Sequence, residues 1–585
     1  MIRTDSQPPR GRWLAPVLVI FIGTVAYSNS FHGPFIFDDN AAIVKNPQIC
    51  SLNPFKYPSL GPTTIAGRPV LIFTFAADYK IGRLRVETYH ATNLLIHLLA
   101  ALILYGIVRR TLLGMGPNPA PRSATWLAAM VAALWVVHPL NTQSVTFIVQ
   151  RAESLAGLFF LASIYCVIRA AEGGGGWGIA AVIACGLGMA TKEIVAVAPI
   201  LAVLYDRTFL AGTFKEALTR RWKIYAGMAA TWAFILLSLH TGHRETMVGF
   251  HLGISPIEYA RTELNVIARY LHLAFWPTDM VLDYYDWPIA QHWSDVEWQG
   301  WLVLGSAIAT LIALRWWPRL GLLGAWFFLI LAPTSSVLPI KQEAAAEQRM
   351  YLPLTAVVCL VVIGGWVIVR PWRALRWAGG TTGCLLVILL ARLTMERNEQ
   401  YASALDIWTD TVAKRPSNTR AHVNLGEAWA QAGIDFPPGS PEAVGAASNA
   451  AEQFRIVLAL EPRISHAIFA LGQSLERLNE PLAAEDLYTQ ALSEYPEVAG
   501  DLLVERGNLR ARRQDWADAK ADYLAAIQAN PDDVEPYYFL GVLYQQLGDW
   551  NHAEAELAKA VVISPKYKDA AARLEKIREL EGVPR

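Results

Sequence analysis

The chain is 585 residues long, 54% hydrophobic, 17% charged and formally neutral. The length predicts two or more domains, and the apolar excess excludes a wholly soluble protein. Zero net charge argues against nucleic acid as a partner.

The apolar excess lies in residues 13–393; from about 394 the chain is polar, Ala-rich and charged. That shift divides it into an expected membrane domain, 1–393, and an expected soluble domain, 394–585. Of the five cysteines, Cys50, Cys166, Cys185, Cys359 and Cys384, four lie inside apolar segments, where Cys is a small hydrophobe. No CxxC or disulfide framework is present, so cysteine usage does not identify the redox compartment.

The N-terminus carries Arg3, Arg10 and Arg12 before an apolar run from Trp13 to Ala26. A cleaved signal peptide is one reading. The run lacks a small-x-small cleavage site and further spans follow, which favours a retained first membrane helix. A crossing needs about 20 mostly apolar residues. Eleven candidates follow: roughly 13–31, 88–108, 124–138, 152–169, 177–190, 194–206, 222–240, 299–315, 320–338, 351–369 and 374–393. Residues 177–206 read as one span or as two. Segments 68–82 and 259–276 are expected to lie along the interface, the second as an amphipathic helix exposing Arg261, Glu263, Arg269 and His272.

Every second loop is basic: Arg109, Arg110 and Arg122; Arg169; Arg207, Lys215, Arg220, Arg221 and Lys223; Arg315 and Arg319; Arg370, Arg373 and Arg376. Such loops are expected to be cytoplasmic. The N-terminus is then cytoplasmic, and an odd number of spans puts the C-terminal domain outside. The opposite loops are 32–87, the turns near 139–151 and 191–193, 241–298 and 339–350. They collect ionisable groups at the ends of apolar segments, as expected for a polar cavity at one membrane surface. The plain alternative is a set of solvated helix ends.

Beyond residue 416 the sequence repeats. Pro462, Pro496, Pro531 and Pro565 fall 34, 35 and 34 residues apart; Gly472, Gly507 and Gly541 fall 35 and 34 apart. Gly426 and Pro416 precede their counterparts by 46, one repeat plus a 12-residue turn-rich insertion at 434–445. This pattern resembles the tetratricopeptide repeat: about four helical hairpins, a closing helix at 567–581 and a leading half-repeat at 400–415. Small residues let the two helices of each hairpin approach, and proline ends the second. Stacked hairpins form an α-solenoid whose groove suits a protein partner.

The stretches FIFDDNAAIVKN, GRPVLIFTFAADY, YHATNLLIH, HPLNTQSVTFIVQRAE, ATKEIVAVAPILAVLYD, DYYDW and EQRMYLP, followed by the repeats, resemble the transmembrane and tetratricopeptide-repeat (TMTC) proteins over nearly the whole chain. The resemblance implies an all-α, polytopic GT-C-type membrane domain. It implies O-mannosyltransferase chemistry: transfer of a hexose from a polyprenyl-phosphate-linked donor to a protein hydroxyl. Low Lys content and Ala/Gly-rich spans point to a bacterial relative in the inner membrane, with a periplasmic repeat domain.

Such transfer needs a base for the incoming hydroxyl and cationic help for the departing phosphate. Asp38 and Asp39 are the expected acids: adjacent carboxylates raise one pKa, which suits a base. In extended chain they diverge, so one faces the sugar. The related transferases place the first acid of the pair there, which favours Asp38; a turn or helix cap is the alternative. Arg349, Lys192 and Arg151 are the candidates for phosphate. Their alternatives are pairs with Glu347, Glu193 and Glu153. His138, Asp283, Asp286 and Trp287 are candidates for sugar or acceptor, with a helix end and an aromatic belt as alternatives. No resident cofactor is expected. A divalent cation at the acidic loop stays open, and no His/Cys cluster has zinc spacing. Two other functions fit: a non-catalytic membrane scaffold recruiting envelope proteins through the repeats, or a lipid-linked glycan ligase or polymerase.

Overall fold

The computed structural model describes residues 13–57, 63–116, 119–235, 253–336, 339–340, 343–496 and 499–581. The expected basic N-terminus, Arg3, Arg10 and Arg12, and residues 241–252 of the expected fourth polar loop lie outside these. The fold is all-α, with no strand among the described residues. It divides into two compact units, residues 1–414 and 415–585.

In the first unit each expected apolar span overlaps a helix within the described residues; residues 236–240 of span 222–240 and 337–338 of span 320–338 lie outside them. Four helices are long and apolar enough to cross a membrane alone: Val86–Gly114, Ile148–Ala171, Trp293–Trp316 and Arg373–Gln400. The pair Pro121–Val136 and Pro139–Val145, bent by 57°, adds a fifth if it is one span. Leu14–Ala26, Trp177–Met189, Pro318–Leu331 and Pro353–Val369 are apolar but shorter. The ambiguous 177–206 stretch forms two helices, Trp177–Met189 and Ala198–Phe209, separated by a tight turn at Glu193–Val197. Polar Thr191, Lys192 and Glu193 break the apolar run.

Two expectations need correction. Helix Pro256–Phe275 is not a purely surface helix: of its four named polar residues, Arg261 and Glu263 are buried, while Arg269 and His272 keep exposure. Its N-terminus is fixed by a capping box between Ser255 and Glu258. Residues 434–445 are not all loop. A tight turn covers Gly433–Asp435, and a helix begins at Pro441, where the Ser440 side chain accepts the Ala443 N–H. Ser-Pro is a helix start as well as a turn signal.

The second unit stacks helix pairs Thr419–Ala432 with Pro441–Leu460, Ser465–Arg477 with Pro481–Glu494, Ala499–Arg512 with Trp516–Ala529, and Val534–Gln546 with Trp550–Ile563; Ala570–Glu581 closes the array. The periodic glycines are points of close approach. A Cβ on Gly426, Gly507 or Gly541 would sit 2.7, 2.6 or 2.7 Å from Phe454, Tyr523 or Leu557 of the following helix. At Gly472 the obstacle is the Tyr488 hydroxyl. Overpacking of this kind costs roughly 1–3 kcal/mol. Gly507→Val in the full chain should therefore lower the thermal midpoint of the repeat helices. An unchanged melting curve by circular dichroism would refute this packing.

Candidate functional site

After helix Leu14–Ala26 the chain runs irregularly to Phe37, which adopts φ 45°, a conformation non-glycine residues seldom take. The chain then enters a helical turn carrying Asp38 and Asp39 and continues as the wide turn Asn40–Val44. The pair is thus on a helical turn, not in extended chain. Divergence still holds, because successive helical residues point about 100° apart. Asp39 is fully buried: Oδ2 accepts the Ile36 N–H at 3.1 Å and Oδ1 accepts the Val149 N–H at 2.8 Å. Asp38 is half-buried. Burial pushes the Asp39 carboxyl well above the usual carboxylate range. The two N–H groups and Arg151 oppose that rise, and Asp38 adds to it.

Val149 lies two residues before Arg151, which is completely buried. Arg151 Nη2 meets Asp78 Oδ2 at 2.6 Å and donates to the Tyr89 carbonyl at 3.0 Å; Nε donates to Asn93 Oδ1 at 2.5 Å. Its plane lies over Phe75, 4.3 Å from the ring centroid. The alternative pairing with Glu153 does not form. Helix geometry turns residues two apart away from each other, and the partner comes from helix Pro69–Gly82 instead. Glu153 takes Lys192, at 2.6 Å, in place of the expected Glu193. Glu193 lies 3.6 Å from Arg68. The Lys192 side chain keeps 12% exposure, against none for Arg151.

Arg349 belongs to a second buried network. It donates to the carbonyls of Ala344 at 2.8 Å, Thr334 at 3.1 Å and Glu343, and lies 4.0 Å from Glu263. The alternative Arg349–Glu347 pair does not form. Glu347 accepts the Val281 N–H at 2.7 Å and the Tyr284 hydroxyl at 2.6 Å. Burial raises Glu347 and pushes Glu263 up to about 7, against the pull of Arg349.

The sugar candidates fall beside this second network. Asp283 is buried and accepts the Tyr285 N–H at 3.3 Å, while Asp286 and Trp287 are half-buried. Trp287 meets Tyr284 edge-on at 5.6 Å. His138 occupies a buried, hydrogen-bonded position. Its Nδ1 accepts the Leu140 N–H at 3.2 Å, which leaves Nε2 to donate to the Ala274 carbonyl at 3.1 Å. Both ring nitrogens are therefore occupied, and the ring is buried. The segment 138–151 joins the two networks: Gln143 donates to the Leu282 carbonyl at 3.0 Å, and Asp39 and Arg151 hold its far end.

Sequence reasoning missed Asp78, Asn93 and Glu263, the partners that position the nominated cations. Each is a buried polar side chain on a helix, among other polar residues, so no local pattern singles it out. Among the described residues no group of three or more His, Cys, Asp or Glu is arranged to hold a metal ion. Two clefts lie elsewhere. One of about 300 Å³ runs between Leu271, Thr310, Phe327 and Leu360; the other is lined by Asp295, Glu297, Trp298 and Trp301. Neither is lined by a residue of the predicted site.

Known proteins resemble the chain in two ways. Tetratricopeptide repeat profiles match residues 390–434, 444–499 and 534–567, and a TPR repeat profile matches 507–548. Over 94% of its length the chain is 22% identical to the human protein O-mannosyl-transferase TMTC3, covering 68% of that protein. Against Drosophila melanogaster Tmtc3 it is 23% identical, over 93% of this chain and 67% of the other. The mouse protein O-mannosyl-transferase TMTC4 is 32% identical over 26% of this chain and 23% of its own length. Among solved structures, the Thermus thermophilus TPR protein TTC0263 aligns with 32% of this chain and 93% of its own, at 20% identity and TM-score 0.25.

Two predictions follow from the buried charges. Removing one partner of a buried ion pair strands the other and costs roughly 3–5 kcal/mol. Asp78→Asn should therefore cut the yield of monodisperse protein in size-exclusion chromatography, whereas Glu193→Gln, at a longer and more exposed pair, should not; equal yields would contradict the assignment. Glu263 titrates at about 7 in the fold against an ordinary 4.5. A raised carboxyl stabilises the fold when protonated, and that contribution fades as pH climbs from about 4.5 through 7. Glu263→Gln should flatten the dependence of the thermal midpoint across that window. A mutant curve parallel to the parent's would exclude Glu263 as its source.

Proposed function

We propose, for this member of the transmembrane and tetratricopeptide-repeat family, that the chain is a GT-C-type membrane glycosyltransferase. It moves a hexose, mannose by analogy with its relatives, from a polyprenyl-phosphate donor to a protein hydroxyl on the non-cytoplasmic side. The observation that carries this reading is the division of labour in the acidic pair: Asp39 is buried and held by two N–H groups, while its neighbour Asp38 keeps exposure. The relatives that align over nearly the whole chain bear the name protein O-mannosyl-transferase.

In this reading Asp38 accepts the proton of the acceptor hydroxyl as its oxygen attacks the anomeric carbon. The bond from that carbon to the phosphate oxygen breaks, and polyprenyl phosphate leaves with the electron pair. Configuration at the anomeric carbon inverts. Lys192, partly exposed beside Glu153, supplies positive charge to the departing phosphate. Arg151 and Arg349 act as positioning residues, through Asp78 and through the carbonyls of Thr334 and Ala344. Asp283, Asp286 and Trp287 offer acceptors and an aromatic face to the sugar. The four long helices, the bent pair and the four shorter apolar helices supply nine of the eleven proposed crossings, and the cytoplasmic N-terminus follows from the basic loops. The repeats hold the protein acceptor or a protein partner.

General-base catalysis contributes about 10²–10⁴-fold. Asp38→Asn should lower hexosyl transfer to a peptide by that range in proteoliposomes containing a polyprenyl-phosphate hexose, with yield unchanged. Asp39→Asn should lower folded yield as well. Full activity in Asp38→Asn would end the proposal; a membrane scaffold would then be the better reading.

A further inference from the structure

Two loops that are distant in sequence meet at the opposite end of the first unit's helices from the acidic pair. Arg207 Nη1 donates to the Leu314 carbonyl at 2.9 Å, and its guanidinium lies over Phe214, 5.4 Å from the ring centroid. This contact sets the last turn of helix Ala198–Phe209 against the end of helix Glu297–Trp316. Around the junction Lys215, Arg220, Lys223, Arg315 and Arg319 are all exposed. So are the large apolar side chains of Phe214, Leu218, Trp222, Trp316, Trp317 and Leu320. The nearby acids do not balance the cations. Asp206 is buried against Arg221, with contacts of 2.7 and 2.9 Å, and Glu216 meets Arg220 at 3.2 Å.

The geometry of helix Phe214–Ala230 adds a second argument. Its backbone is broken at Arg221, which has φ −133° and ψ 20°. The break is held by Asp206, which takes the Arg221 guanidinium through both oxygens and the Tyr225 hydroxyl. The segment before the break therefore leaves the line of the segment after it. Phe214 and Leu218 fall four residues apart on one face of that first segment, and Trp222 follows at the bend. Lys215, Thr219 and Arg220 are exposed alongside them. Apolar side chains on one face beside lysine and arginine make an interfacial element: the first enter the acyl boundary and the second reach headgroup phosphates.

We propose that this rim binds the anionic phospholipids of the leaflet it faces, clamping phosphate headgroups between the bent segment and the turn at residues 315–319. Bilayer lipid is the occupant because the exposed tryptophans and cations occur together at the ends of apolar helices, where a membrane surface supplies both an acyl boundary and negative charge. The proposal stands apart from the sugar-transfer reading, since none of these residues belongs to either buried network.

The test uses the full chain in nanodiscs of mixed phosphatidylcholine and phosphatidylglycerol, with the lipids retained after mild detergent release counted by native mass spectrometry. The parent should retain phosphatidylglycerol in excess of its share of the bilayer, and higher salt during release should reduce that excess. The combined variant Lys215→Gln, Arg220→Gln, Lys223→Gln, Arg315→Gln and Arg319→Gln should lose at least about ten-fold in preference, as each cation near an anionic surface is worth about five-fold. A parent without preference would overturn the proposal, as would a variant that keeps the full preference. If the five-fold variant does not fold, the two-residue variant Arg315→Gln, Arg319→Gln decides: a reduced preference upholds the site and an unchanged one overturns it.

Discussion

The first unit depends on one buried guanidinium. Arg151 has no contact with solvent, so its charge and donors must be met inside the protein. Asp78 supplies the counter-charge, and Asn93 and the Tyr89 carbonyl take further donors. These partners come from helices Pro69–Gly82 and Val86–Gly114, while Arg151 opens helix Arg151–Ala171. Three helices are thereby fixed to one another at one end. The arrangement is weak as a source of net stability, because desolvation offsets much of the Coulomb attraction. Its strength is specificity: a shift of any one helix would leave a buried charge or donor without its partner.

The position of the acids follows from that constraint. With Arg151 fixed, the N–H of Val149 is fixed two residues earlier, and Asp39 hangs on it. A carboxylate that accepts two backbone N–H groups is a structural element of its loop. Its neighbour on the helical turn then points elsewhere, and Asp38 retains exposure. The two residues look interchangeable in sequence, yet the fold assigns them different environments. The raised titration of Asp39 owes more to burial than to the adjacent acid, so the repulsion between neighbouring carboxylates is the smaller effect.

Hydrophobic periodicity and glycine spacing made the helices legible from the sequence. Within the described residues each apolar run overlaps a helix, because length and composition decide that locally. The repeat glycines marked the points of close approach, where the structure places Phe454, Tyr523 and Leu557, since a 34-residue period places one packing problem again and again. Which cation pairs with which acid was not legible. Neighbours in sequence looked like partners, but Arg151 reaches Asp78, Lys192 reaches Glu153, and Arg349 approaches Glu263. Those pairings are tertiary, and no local pattern encodes them. His138 shows the same limit: its partner carbonyl belongs to Ala274, far along the chain.

The alternation of basic and acidic loops acquires a physical basis in these contacts. Helix Val86–Gly114 begins beside Arg151's network at Tyr89 and ends in Arg109 and Arg110; Arg151–Ala171 begins at Arg151 and ends near Arg169. Their basic ends meet, with Arg110 and Arg169 sharing Glu172 at 2.5 and 3.3 Å. Cations at helix C-termini also complement the helix dipole. Helices Glu297–Trp316 and Pro353–Val369 repeat the polarity, one ending at Arg315 and the other followed by Arg370. The two ends therefore solve different problems. At one, charges are buried and answered by specific partners, which fixes geometry. At the other, Lys215, Lys223, Arg315 and Arg319 stay exposed and mix with tryptophan, which tolerates a fluid surface. The acidic pair lies at the first end, where Asp39 is one of the buried charges held by specific partners.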